Sequence, residues 1–221
     1  MTDADLRRHP PGITHWDGPG LEAWQAWRPE EVARRLDGIG VPWCVVGGWA
    51  IDLFLGCETR AHSDLEIAIL RPDFPAVRAR LHDCVLHVVG DGEVRRLRDG
   101  ALPPADKHQN WVLDSAANVW RMDVMLEPGD AHTWVFRRDE RVSAPRARLM
   151  RARDGIPYLA PEGVLLFKAK HSNTKDQADF DACLPNLDAD ARTWLHAALE
   201  RVHPGHAWIP RLAARHGDDG C

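Results

Sequence analysis

Apolar positions along the chain change period several times, and the changes mark its elements. Arg28-Pro29-Glu30-Glu31 opens a helix, with Pro in its first turn and acids at its positive end, running to about Asp37 before Gly38 and Gly40. Val41–Val46 is a near-continuous apolar run, the pattern of a strand buried on both faces, and it ends at Gly47-Gly48. Trp49–Leu55 reads as a short helix closed by Gly56, and Leu65–Leu70 as a second strand. In Asp73–Asp83 the residues Phe74, Val77 and Leu81 recur at helical spacing. Further strands are expected at Val85–Val89, Val94–Leu97, Asn110–Leu113, Val119–Leu126 and Thr133–Arg137. From Pro161 the pattern turns helical: Glu162–His171, Asp176–Leu184, Ala189–Val202 and a short helix at Ile209–Arg215.

This order predicts an α/β (α+β) architecture, a mixed sheet flanked by helices with a helical region behind it. The expected boundaries are a Pro/Gly-rich arm over 1–27, an α/β domain over 28–154 and a C-terminal helical region over 155–221. At 221 residues the chain can bury a sizeable core. No apolar run approaches the roughly 18–20 residues that a membrane span needs. The N-terminal residues lack the basic-then-apolar pattern of a signal peptide, and the five cysteines are scattered without a C-x-x-C pair. Together these point to free thiols in the cytoplasm.

A net charge of −5 argues against generic binding to a nucleic-acid backbone. The stretch 137–153 is locally basic, with Arg137, Arg138, Arg141, Arg146, Arg148, Arg151 and Arg153. It reads as a solvated basic face or a guarded strand edge, with contact to a phosphate-bearing substrate or RNA as the alternative. Ten tryptophans stand against one tyrosine; most should fill the core, and one or two could form a stacking wall for a base or ring-shaped acceptor.

The candidate chemistry centres on the acids that follow the glycine pair. On a strand, Asp64 and Glu66 at i and i+2 point the same way, roughly 6–7 Å apart along the backbone. Asp123 interrupts the apolar run Trp120–Leu126, and a carboxylate buried in a strand is costly unless paired or on a metal. Asp64, Glu66 and Asp123 make an oxygen-rich set of the kind Mg²⁺ prefers. A glycine turn at a helix N-terminus can bring backbone amides to phosphates.

Gly47-Gly48-Trp49-Ala50-Ile51-Asp52, followed by Thr59-Arg60-x-His62-x-Asp64-Leu65-Glu66, resembles the signature of the nucleotidyltransferase superfamily. It is most similar to the branch of aminoglycoside 2''-adenylyltransferases and lincosamide nucleotidyltransferases. The segment Tyr158-Leu159-Ala160-Pro161-Glu162, with Leu165, Lys168, Lys175-Asp176 and Asp179, resembles that branch's helical half. The resemblance implies a nucleotidyltransferase-type fold. It also implies transfer of a nucleoside monophosphate from a nucleoside triphosphate, ATP by expectation, to an acceptor hydroxyl with release of pyrophosphate. Asp64, Glu66 and Asp123 would then be the catalytic and metal-binding acids with Mg²⁺ or Mn²⁺, Asp123 serving as ligand or as base. Gly47 and Gly48 would meet the triphosphate through backbone amides, Arg60 and His62 would lie near the phosphates, and Lys168 or Lys175 would reach them from the helical side. The cleft is expected between the α/β part and the helical part, with an acceptor such as an aminoglycoside-like small molecule.

The chain departs from the family pattern at Glu66, where Asp is usual. The longer side chain shifts the oxygens, and catalytic metal geometry is unforgiving. Two further readings therefore stand beside the first: a toxin-like nucleotidyltransferase acting on tRNA or protein, and a catalytically impaired nucleotide-binding module. The remaining signals are weaker. His82-x-Cys84-x-x-His87 fits no standard zinc spacing and His203-Pro204-Gly205-His206 reads as a turn. His108-Gln109-Asn110-Trp111 places polar groups at the start of a strand, as a satisfied loop or as groups that could meet a base or acceptor.

Overall fold

A computed structural model of the chain describes residues 13–15, 18–171 and 173–214. Most of the first twenty residues of the expected arm, Arg215 of the last expected helix, and Cys221 lie outside the described residues. In chain order the elements begin with β1 (Ile13–His15), α1 (Pro29–Arg35), β2 (Trp43–Val46), α2 (Gly47–Leu55), β3 (Glu66–Leu70) and α3 (Phe74–Arg80). Then come β4 (Val85–Gly90), β5 (Glu93–Leu97), β6 (Gln109–Asp114), β7 (Val119–Glu127), β8 (Thr133–Val135) and β9 (Ser143–Pro145). After these follow α4 (Arg146–Leu149), β10 (Met150–Arg153), β11 (Ile156–Leu159), α5 (Pro161–Lys168), α6 (Thr174–Cys183), α7 (Ala189–Val202) and α8 (Trp208–Ala213). The elements form two compact units, residues 1–44 with 62–128 and residues 45–61 with 129–221.

In the first unit the strands run in the order β1-β5-β4-β6-β7-β3. β3 is parallel to β7, and the other neighbours are antiparallel. Alternation along the strands sorts the side chains onto two faces. Ile67, Ile69, Val88, Val112, Met122 and Val124 are buried on one of them. The other carries a tryptophan cluster in which Trp111 lies 5.2 Å from Trp120 and Trp24 lies 5.0 Å from Trp111, centroid to centroid. A bulge between Val112 and Leu113, where Leu113 pairs with Trp120, leaves Arg121 as the extra residue of β7. Without it, Trp120 and Asp123, three apart, would face opposite ways. The bulge puts them on the same face.

The chain before α1 is part of this unit. Trp120 N–H donates to Ala23 O, and Gln25 and Trp27 N–H donate to Trp120 and Arg121 O. Residues 23–27 thus pair with the first half of one edge of β7, and β3 takes the second half, where Asp123 N–H donates to Leu65 O at 2.8 Å.

In the second unit β11 is parallel to β2 through Tyr158 and Val45, and β10 turns back antiparallel to β11. Helix α5 is buried over Pro161–Leu166, the carboxylate of Glu162 included, and a helix buried on all sides belongs at the centre of a helical layer. Asn173 and Asp188 cap α6 and α7 through their side chains. Phe180 and Trp208 stack at 4.2 Å, and the Trp208 indole donates to Gln177 Oε1 at 2.8 Å. The expected helices from Pro161 onward are all present, each within a few residues of its expected bounds.

β9, α4, β10 and β11 have no counterpart in the sequence reading. Each is only three or four residues long, and the arginines break the alternation that would reveal a strand. The hairpin between β10 and β11 turns at Asp154-Gly155, both at positive φ, a dipeptide that signals such a turn. The arginines of 137–153 are for the most part tied into this unit rather than forming a basic face. Arg138 donates to Phe167 O, Arg146 to Asp130 O, Arg148 to Asp190 O and Arg153 to Phe54 O, while Arg141 pairs with Asp139. Arg137 lies over the Phe167 ring, and Arg151 is exposed. Among the described residues no helix is long and apolar enough to cross a membrane.

Candidate active site

The first unit holds the acids. Glu66 opens β3 and pairs in register with Asp123 on β7, whose other neighbour in register is Trp111 on β6. Directly opposed residues share a face, so Glu66, Asp123 and Trp111 form one row across three strands. Asp64 departs from the expected placement: it lies two residues before β3 and is exposed, because the β7 ladder engages the segment only from Leu65 onward. His62 is half-buried in the same lead-in.

Asp123 is 3 % exposed. Its Oδ2 accepts from Gln109 Nε2 at 2.6 Å and its Oδ1 from the Asn110 backbone N–H at 3.2 Å. The Asn110 side chain is anchored in turn to Val124 O. Burial, and then the charge of Glu66, push the Asp123 carboxyl up to about 7, against the opposing pull of the hydrogen bonds from Gln109, Asn110 and Trp111. A carboxylate in that range can take a proton near neutral pH. Gln109, Asn110 and Trp111 thus set the geometry of the third acid, where the sequence alone suggested a satisfied loop or contact with a base or acceptor. The polar pair at the head of an apolar strand was the available signal.

Among the described residues no group of three His, Cys, Asp or Glu is arranged to hold a metal ion, the His82, Cys84 and His87 set included. The pair Glu66 and Asp123 nevertheless fits a hard cation in its chemistry. Both donors are carboxylates, they are neighbours in register, and the charge of Glu66 raises the cost of charge on Asp123.

The second unit holds the glycine turn and the cations. Gly47 begins α2 at φ 66°, a left-handed conformation that an L side chain adopts at a cost of about 1–2 kcal/mol. Gly47→Ala is expected to lower stability by about that amount, read from urea melts followed by circular dichroism; an unchanged midpoint would show that the turn tolerates a Cβ. Asp52, in the last turn of α2, is 5 % exposed and accepts from both Thr59 N–H at 3.0 Å and Thr59 Oγ1 at 2.6 Å. Arg60 follows at once and places Nε and Nη2 on the two carboxylate oxygens of Asp179, each at 3.3 Å. Lys168 Nζ lies 2.7 Å from Asp179 Oδ2 and 3.1 Å from Asp176 Oδ1. Burial alone would lower the Lys168 pKa; Asp179 and Asp176 outweigh it and hold the ammonium above its usual range. Lys175 is exposed near the start of α6, and Lys170 is exposed beyond α5.

The fold is that of nucleotidyltransferases of known structure. The structure of ANT(2'')-Ia in complex with adenylyl-2''-tobramycin aligns with a TM-score of 0.52 at 15% identity, over 78% of this chain and 95% of that one. The solution structure of antibiotic-resistance factor ANT(2'')-Ia aligns at 0.51 and 15% identity, over 77% and 88%. A lincosamide antibiotic adenylyltransferase with lincomycin bound aligns at 0.47 and 16% identity, over 69% and 92%. Residues 30–109 match the family model of aminoglycoside-2''-adenylyltransferase, and the resemblance carried by the glycine-turn motif is borne out. No curated protein matches the chain in sequence.

Proposed function

We propose that this protein transfers a nucleoside monophosphate, adenylyl from ATP, to a hydroxyl of a small acceptor such as an aminoglycoside-like compound, releasing pyrophosphate. The observation that supports this most is the register pair Glu66–Asp123 with the Asp123 carboxyl raised to about 7. Asp123, buried and oriented by Gln109 and Asn110, takes the proton from the acceptor hydroxyl as its oxygen attacks the α-phosphorus. Asp64 and Glu66, with Asp123 beside them, would hold Mg²⁺ or Mn²⁺, which when bound neutralises phosphate charge. Gly47 and Gly48 offer backbone amides at the head of α2 to the triphosphate. Arg60, His62, Lys168 and Lys175 are assigned to its charge, Arg60 through its planar fork and the lysines as point charges. Glu66 in place of Asp slows turnover relative to a two-aspartate site and widens the choice between Mg²⁺ and Mn²⁺.

The experiment is pyrophosphate release from ATP in the presence of a panel of aminoglycosides and other polyhydroxylated acceptors. Wild-type protein should release pyrophosphate with at least one acceptor, and Asp64→Asn should reduce that release by about a hundredfold or more. Equal release by Asp64→Asn would remove Asp64 from the mechanism. ATP binding without release for any acceptor would favour the nucleotide-binding module.

A further inference from the structure

The ion network of the second unit links residues that the motif reading treated separately. We propose that Asp179 and Asp52 are positioning residues that hold Arg60 and Lys168 as a fixed pair of cations for the triphosphate of the donor nucleotide. This rests on the nucleotidyltransferase reading. Asp179 is 2 % exposed and sits between the two cations: Arg60 grips both of its oxygens, and Lys168 shares Oδ2. Two cations gathered on one carboxylate repel each other, so their common position depends on that carboxylate. Asp176 balances the second positive charge at Lys168.

Asp52 acts on Arg60 through the backbone. With its side chain it closes the loop after α2, fixing the backbone of Thr59 and so the origin of the Arg60 side chain. The last residue of the Gly-Gly-Trp-Ala-Ile-Asp motif thus has a task of its own, which explains an acid in the buried part of a helix that carries glycine amides at its other end. The guanidinium spends Nε and Nη2 on Asp179 and turns Nη1 toward Ala61 O, and a quarter of the side chain remains exposed. A planar group held along one edge presents its other edge in a defined direction, which suits phosphate oxygens.

The test is equilibrium binding of Mg·ATP, inorganic tripolyphosphate and adenosine to the full chain, by calorimetry, for wild type, Asp179→Asn, Asp52→Ala, Arg60→Ala and the Asp52→Ala/Arg60→Ala double variant. Asp179→Asn should weaken ATP and tripolyphosphate about tenfold and leave adenosine unchanged, a split that a general loss of structure would not give. Asp52→Ala should weaken the same two ligands, and should add nothing in the Arg60→Ala background. ATP and tripolyphosphate bound by Asp179→Asn as tightly as by wild type, or more tightly, would overturn the proposal, since Asp179 would then mask the cations rather than present them. If Asp179→Asn does not fold, additive losses from Asp52→Ala and Arg60→Ala overturn it instead. Wild-type protein that binds neither ATP nor tripolyphosphate would overturn the transferase reading itself, and this inference with it.

Discussion

Asp123→Asn will abolish the proposed nucleotidyl transfer and, in the absence of divalent cations, make the protein more stable above pH 7. The two effects share one cause. The folded protein holds the Asp123 carboxyl at about 7, well above the roughly 3.9 of an unfolded chain, through burial and the neighbouring Glu66 charge. The native state therefore binds the extra proton between those two values. Stability contributed by the protonated form is fully present below about pH 4 and is lost as pH rises through about 7. The gap between about 7 and about 3.9 corresponds to about 4 kcal/mol at most, and relaxation around the charge brings the expected gain of the amide to about 1–3 kcal/mol. The amide can keep the local bonds: its oxygen still accepts from the Asn110 N–H, and Gln109 can turn its own oxygen toward the new NH₂. Thermal melts at pH 5 and pH 8 in a chelator, beside pyrophosphate release, check both halves. A variant less stable than wild type at pH 8 would mean that the carboxylate is not held at a cost.

Trp120→Ala will cost about 3–5 kcal/mol, the range for truncating a large buried aromatic. Trp120 is fully buried, packs edge-on against His87 at 5.0 Å and Trp111 at 5.2 Å, and donates its indole N–H to Gly20 O at 3.0 Å. Trp120→Phe should cost less, about 1–2 kcal/mol, since it keeps a ring and loses the hydrogen bond. Because Trp111 lies between Trp120 and Asp123, the alanine variant should also lose the proposed transfer activity at temperatures where it stays folded. Urea melts followed by far-ultraviolet circular dichroism give the stability. A shift no larger than that of Trp120→Phe would place the cluster outside the cooperative core.

What was legible follows from how local the signal is. The glycine turn, the second strand and the last helices each carry their pattern within about ten residues, and all are found where periodicity puts them. Asp123 could be singled out because an acid in an apolar run is anomalous on its own. Its partners could not, since the pairing of Gln109 and Trp111 with Asp123 depends on which strands become neighbours and on a bulge that shifts the simple alternation of β7. The same holds for the task of Asp179: the helical-half motif contains it, but its partner is unreadable until Arg60, 119 positions away, closes on it. The β9–β11 region was hidden for a different reason: its strands are too short to show a period, and its arginines spend their charge on backbone carbonyls of the same unit.

The shared edge of β7 has a practical consequence for anyone shortening this protein. A chain begun at Arg28 would keep every acid, glycine and cation of the proposed site. It would nevertheless uncover the backbone of Trp120 and Arg121, because Ala23, Gln25 and Trp27 are what that stretch of β7 pairs with. An open run of unpaired amides and carbonyls beside exposed tryptophan is a template for another chain to join. Self-association on the sheet margin, rather than loss of a catalytic group, would then be the first symptom of trimming.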